Sequence, residues 1–213
     1  MQPSSGYSTS EASHPKSPNV HLRSAGVDLS KFDNSWYHPG GKLQRLLWYF
    51  CNAIFLDSSM PYSSTLKCVL LRLFGGRVGR GVVIKPHVNI KYPWFLEVGD
   101  AVWLGEGAWI DNLASVKIGN NVCISQGAYI LTGNHDYKRA TFDLILKPVF
   151  IEAGVWVGAK SIICPGVTLG THSVVTVGSV MTKDAEAFTI YSGNPATPVR
   201  RRVMTDTAQV PVG

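Results

Sequence analysis

Charge is scarce in this sequence: Asp, Glu, Lys and Arg make up only 16% of the 213 residues, against 45% that are apolar. A chain so composed can bury a core, which excludes disorder for its bulk. Cysteine is rarer still, and Cys51, Cys68, Cys123 and Cys164 form neither a Cys-x-x-Cys pair nor a metal-ligand spacing. Scattered thiols of this kind fit a reducing compartment. No apolar run is long: residues 43–56 are interrupted by Gln44, Arg45 and Asn52, and they fall short of the ~20 residues that span a bilayer. The start of the chain is rich in Ser and Pro but has no basic stretch leading into an apolar one, so it does not read as a signal peptide. Cytoplasm is the expected compartment. The net charge of +6 permits a phosphate-bearing partner. No basic stripe or recognisable module accompanies it, so nucleic acid is not expected.

Residues 1–27 read as a mobile tail, and 28–76 as an N-terminal aromatic and helical cap. The cap opens with Asp28-Leu-Ser-Lys-Phe32 and Trp36-Tyr37-His38-Pro39-Gly40. After the Pro39-Gly40-Gly41 turn, Leu43, Leu46, Leu47, Phe50 and Ile54 fall at helical spacing. A second helix follows Pro61 and the Ser63-Ser64-Thr65 cluster, carries Leu66, Val69, Leu70 and Leu73, and stops at Gly75-Gly76. Two such helices suit the open end of a repeat domain, whose terminal face needs covering. Trp48, Tyr49 and Phe50 beside Lys42 and Arg45 also suit a membrane surface.

From Val78 to Met181 an aliphatic residue returns at every sixth position. The anchors are Val78, Ile84, Ile90; Val98, Leu104, Ile110; Ile118, Ile124, Ile130; Ile151, Val157, Ile163; and Leu169, Val175, Met181. Leu, Ile, Val and Met are 56 of the 213 residues, so chance fills about four of these positions, and the series is a hexapeptide repeat. Its register breaks after every third anchor, from 90 to 98, 110 to 118 and 130 to 151. Three hexapeptides therefore close one triangular coil, and the insertions all leave from one corner. About five coils at the ~4.8 Å strand spacing make a prism roughly 20–25 Å long. Gly follows the anchor at 79, 99, 105, 119, 158 and 170, where a corner needs backbone freedom. The repeat spans 77–183, and its longest insertion, the polar loop 131–150, contains His135. Residues 184–213 form a C-terminal extension with a basic tail. Handedness does not follow from the period, and the general preference for right-handed parallel crossovers, about 98%, points to a right-handed coil.

The sequence resembles the hexapeptide-repeat acyltransferases in Ile118-Gly-Asn-Asn-Val122, Thr132-Gly-Asn-His135-Asp136, Val155-Trp-Val-Gly-Ala159 and Gly193-Asn-Pro-Ala196. Within them it looks most like the colanic-acid (exopolysaccharide) biosynthesis acetyltransferases, on Ile84-Lys-Pro86, Lys91-Tyr-Pro-Trp94, Trp109-Ile-Asp-Asn112 and Cys123-Ile-Ser-Gln-Gly-Ala-Tyr129. The resemblance covers roughly residues 28–202. It implies an all-β solenoid, a left-handed parallel β-helix, assembled as a homotrimer. It also implies an acetyl-CoA-dependent O-acetyltransferase acting on a sugar hydroxyl, with a lipid-linked or nucleotide-linked acceptor. His135 is then the general base, a role that suits imidazole at neutral pH. Asn134 and Asp136 flank it, can orient the ring, and are expected with Asp111 and Asn112 to bind the acceptor. Asp111 and Asn112, at the same corner one coil earlier, either face the acceptor or make an Asx turn. Trp156, Gly158, Ala159 and Val177 fall where the family lines the pantetheine arm. Lys183 and Arg200 suit the phosphates of coenzyme A. Some relatives carry Ser at 159, so a hydroxyl contact there is lost in this chain while backbone contacts survive.

Two other chemistries are weaker. Cys123 and Cys164 have no histidine in their own hexapeptides to activate them for an acyl-enzyme. His87, His135 and His172 stand two coils apart, ~10 Å, too far to share a zinc ion with ligands at ~2 Å. No metal is expected, and transfer is direct. The competing reading is a non-catalytic β-helix scaffold, or a membrane-surface protein of a polysaccharide-assembly system.

Overall fold

The computed structural model describes residues 26–205, so nearly all of the expected N-terminal tail lies outside it. The six-residue period becomes three parallel sheets. The first face stacks Arg77–Val78, Leu96–Val98, Val116–Ile118, Val149–Ile151 and Thr168–Leu169. The second stacks Val83–Ile84, Trp103–Leu104, Cys123–Ile124, Trp156–Val157 and Val174–Val175, and the third stacks Asn89–Ile90, Trp109–Asp111, Tyr129–Leu131, Ile162–Ile163 and Val180–Met181. Strands of two or three residues are all a chain can form when it bends after every sixth. Anchor sits on anchor: Ile84, Leu104, Ile124, Val157 and Val175 pair in register up the second face. Every anchor except the half-buried Val78 is buried, and their stacked side chains fill the prism's interior. Burial of this kind contributes ~25 cal/mol per Å² of apolar surface, and it is what holds the coils together.

The corners obey a rule different from the one expected. Backbone freedom is needed three residues after the anchor, at 81, 87, 101, 107, 121, 127, 154, 160, 166, 172 and 178, where φ lies between 55° and 87°. Glycine occupies six of these positions, and His87, Ala101, Asn121, Lys160 and His172 the others. The glycines directly after an anchor serve another purpose. A Cβ on Gly105 would stand 2.7 Å from the backbone nitrogen of Gln126, and one on Gly158 would stand 2.7 Å from the carbonyl oxygen of Val175. They are there so that one coil can lie on the next. Gly105→Ala should therefore cost about 1–3 kcal/mol, the usual range for overpacking. Equilibrium denaturation checks this, and an unchanged midpoint would mean the coils can separate at that point.

The solenoid runs further than five coils. Ala185 bridges to Leu169, and Ile190-Tyr191 pair in parallel with Val174-Val175, starting a sixth turn. Tyr191 fills the position of an anchor and is buried. The period hides this turn, because the step from Met181 to Ala185 is four residues and the next interior side chain is aromatic. The chain then doubles back, and Ala196–Arg201 pairs antiparallel with Thr189–Gly193.

At the opposite end lie two helices, α1 (Lys42–Cys51), extended by a π-helical turn Asn52–Leu56, and α2 (Ser64–Leu73). Trp48, Leu56, Cys68 and Leu71 are buried over the first coil, and the Trp48 indole donates to the carbonyl of Ile90 at 2.8 Å. The stripe that marked the helices in the sequence faces the other way. Leu43, Leu46, Leu47, Phe50 and Ile54 are exposed, as are Leu66, Val69 and Leu73 on α2. The covering face of α2 is narrow and includes Lys67, fully buried, its ammonium donating to the carbonyl of Lys85 at 2.9 Å. Residues 28–39 are not over the open end at all. They pack along the insertions: the backbone of Asp28 donates to Ala140 and Phe32 meets His135 in the long loop, while the carbonyl of Pro39 accepts from the indole of Trp94 in the first, short insertion.

Candidate active site

The long insertion leaves the corner between the third and first faces as a two-stranded antiparallel hairpin, Gly133–His135 with Leu144–Leu146. Gly133 lies at its base against the side chain of Leu113, whose Cδ1 would have to move aside for a Cβ there. His135 is paired across the hairpin with Leu144. Its ring lies flat on Phe142, with centroids 4.4 Å apart and planes 8° from parallel, and Phe32 approaches at 5.6 Å. The Nδ1 of His135 is 2.9 Å from the carbonyl oxygen of Phe142. A carbonyl only accepts, so Nδ1 donates, which in the neutral ring leaves the lone pair on Nε2. Nε2 has no hydrogen-bond partner among the described residues. Phe142 holds its carbonyl there through a left-handed backbone, φ 52°, a conformation that bulky residues adopt only under constraint.

A cavity of about 440 Å³ opens beside the ring, lined by His135, Phe32, Tyr37, Arg45, Lys91 and Tyr92 among others. Tyr37 is pinned by its phenol, which donates to the carbonyl of Leu113 at 2.7 Å. Burial, with Tyr92 and Asp111 nearby, pushes that phenol well above the usual tyrosine range, so it stays protonated. The sequence marked His135 through its loop. It gave no sign of Phe142, whose role depends on a carbonyl, or of Tyr37 and Arg45, brought in from distant positions. The Asp28-Leu-Ser-Lys-Phe32 motif was a usable signal, since it delivers Phe32 to this cavity.

The flanking residues act on the loop and not on the ring. Asn134 accepts from the backbone nitrogen of His135 at 2.8 Å, and Asp136 accepts from that of Lys138 and faces Arg139. Asn112 is fully buried, and its amide accepts from Tyr92 N at 3.0 Å and donates to Tyr92 O at 2.6 Å. It clips two corners together and offers nothing to an acceptor. Asp111 is half-buried, 2.9 Å from the Lys91 ammonium and 3.4 Å from the Tyr129 phenol.

The donor candidates lie elsewhere. Trp156 stands half-exposed on the second face, its indole donating to Ser125 Oγ at 2.9 Å. Gly158, Ala159 and the exposed Val177 follow it at the corner between the second and third faces. Within one chain the whole third face, roughly 15–20 Å for six residues, separates them from the corner that carries His135. Lys183 lines a cleft with Pro195, Thr197 and Pro198 of the terminal hairpin. Of the basic run, Arg201 and Arg202 are spent on backbone carbonyls. Arg200 is exposed, with no side-chain partner among the described residues. Burial pushes the thiol of Cys164 up, away from a nucleophilic thiolate. Among the described residues no three His, Cys, Asp or Glu side chains gather where they could hold a metal ion.

The parallel solenoid is shared with a solved structure, and much of the sequence with known proteins. An Escherichia coli K12 protein named as a colanic acid biosynthesis acetyltransferase, WcaF, is 35% identical over 180 residues, spanning 84% of this chain and 99% of that one. The galactoside O-acetyltransferase of the same organism is 29% identical over 134 residues, 62% of this chain and 66% of its own. The crystal structure of a hexapeptide-repeat acetyltransferase from Vibrio cholerae superposes with a TM-score of 0.68 at 26% identity, covering 75% of this chain and 91% of that one. That protein is also known complexed with acetyl coenzyme A. No family model matches. The chain belongs to the hexapeptide-repeat acetyltransferases, and its solenoid is their left-handed parallel β-helix. It is an acyltransferase. The general preference for right-handed crossovers is overruled here.

Proposed function

We propose that this acetyltransferase carries acetyl from acetyl-CoA to a sugar hydroxyl in exopolysaccharide assembly, with His135 as general base. The observation that supports it most is the fixed tautomer of His135, whose Nδ1–H is spent on Phe142 while Nε2 stays unpaired beside a cavity. Nε2 takes the hydroxyl proton as the oxygen attacks the thioester carbon. The tetrahedral intermediate then collapses, the C–S bond breaks, and the imidazolium returns the proton to the departing thiolate. Trp156, Gly158, Ala159 and Val177 line the pantetheine arm in this reading, and Lys183 and Arg200 meet the phosphates.

The working unit is a homotrimer, because donor and base residues sit on different corners of one prism and meet only across two. The outer second and third faces, bearing Trp103, Trp156, Trp109 and Tyr129, suit such packing, whereas the first carries the charged ladder Arg77, Glu97 and Lys117. The exposed leucines and aromatics of α1 and α2, with the exposed Lys42 beside them, support peripheral attachment to the cytoplasmic face of a membrane. No helix of the described residues is long and apolar enough to cross one.

Release of free thiol from acetyl-CoA, followed across a panel of sugars and amines, tests the assignment. Turnover is expected with hydroxylated sugars. Efficient acetylation of an amine with no turnover of any sugar would overturn it.

A further inference from the structure

Arg45, on the inner side of α1, is half-buried. Its Nε is shut off from water without a hydrogen-bond acceptor among the described residues, and it enters none of the ion pairs they form. An N–H kept in this state is costly unless something supplies an acceptor. Lys91 shares with it the lining of two adjoining cavities, the one beside His135 and another of about 560 Å³ on the side of the cap. The carboxylate beside Lys91, Asp111, is divided between that ammonium and the phenol of Tyr129. Tyr129's phenol is pushed up to about 12 by burial and by Asp111, so it serves as a donor to that carboxylate. Arg45, Lys91 and Asp111 together leave one positive charge between the cavities. Asp57 borders the far cavity but faces His87 and Asn89.

We infer that Arg45, with Lys91 beside it, is an oxyanion subsite for the acceptor, so that the acetylated sugar is an anionic one. This rests on reading the His135 cavity as the acceptor site. Neutral hydroxyls would leave the guanidinium uncompensated, whereas a phosphoryl group or a carboxylate offers two oxygens to its fork. The sugar hydroxyl then sits at His135 while its charged substituent lies toward the cap. In the far cavity, Tyr49 of α1 and Trp109, stacked on Tyr129, border whatever follows the anion. The anion has two sources of this chemistry, the phosphoryl linkage of an activated sugar or the carboxylate of a uronic acid.

Calorimetry on the whole protein, saturated with coenzyme A so that donor phosphate sites are filled, distinguishes them. The probes are methyl glucoside, glucose 1-phosphate and glucuronate. At least one anionic probe should bind about tenfold or more tightly than the neutral one, as a charge-assisted contact implies. The tighter of the two identifies the source. Arg45→Gln should abolish the advantage and Arg45→Lys should keep part of it, which guards against a merely misfolded variant. Arg77→Gln, on the first face, should leave it intact. The advantage should persist in His135→Ala, so failure of the subsite and failure of the base are read separately. Equal binding of the neutral probe, or an advantage that survives Arg45→Gln in the folded protein, would overturn the inference.

Discussion

His135→Ala should lower kcat by about 10²–10⁴-fold, the usual contribution of a positioned base, while the protein folds and binds coenzyme A as before. Folding is spared because the ladder and core lie in the prism, and the hairpin closes through backbone pairing of Gly133, Asn134 and His135 with Leu146, Ile145 and Leu144. Chemistry is not spared, because a sugar hydroxyl is a poor nucleophile until its proton is taken. With one essential base, log(kcat/KM) in the wild type rises with unit slope on the acid side, and that limb should vanish in the variant. If His135 only grips the acceptor, the variant would instead raise the acceptor KM and keep the limb. Near-wild-type kcat in the folded variant would end the catalytic assignment.

Mixing two crippled chains should restore activity. His135→Ala removes the base, and Val177→Glu sets a carboxylate at the corner assigned to the donor, an exposed position that tolerates the change. Each variant alone should fall well below a tenth of wild-type rate at low acetyl-CoA. In a cyclic trimer every site joins the base corner of one chain to the donor corner of its neighbour, so random reassembly of equal amounts should give about a quarter of intact sites. Unfolding and refolding the mixture supplies the exchange. A site complete within one chain would gain nothing, and zero recovery with confirmed exchange would refute the shared site.

The interior was legible because burial imposes it at a fixed period: each anchor named by spacing faces inward in register with the one above. Handedness came from resemblance, because the steric preference that orients most crossovers gives the opposite answer. The cap was legible as helices but not in its facing. Leu46, Leu47 and Phe50 are apolar at helical spacing, which ordinarily marks a core stripe, yet here Trp48 and Leu56 do the covering. Within the site, His135 could be found from composition and loop length. Phe142 could not, because it acts through its carbonyl and a left-handed φ. Asn112 was ambiguous, since its type fits either a ligand contact or a corner clip, and only its complete burial decides.

The three insertions share one corner, and there the positions three residues after the anchor, 93, 113 and 133, are not left-handed. Every other corner within the five coils up to Met181 is fixed by a left-handed turn three residues after the anchor, so adding or deleting a residue there would throw later side chains out of the interior. At the corner between the third and first faces the chain can lengthen while the stack closes over the gap, as Val149–Ile151 does by pairing with Val116–Ile118 across the hairpin. Loop length costs little entropy per added residue. Descent within this architecture is therefore free to rebuild the corner proposed to face the acceptor by insertion, while the corner proposed for the donor is held to strict period. New acceptors can arise by lengthening one seam, with the scaffold inherited unchanged.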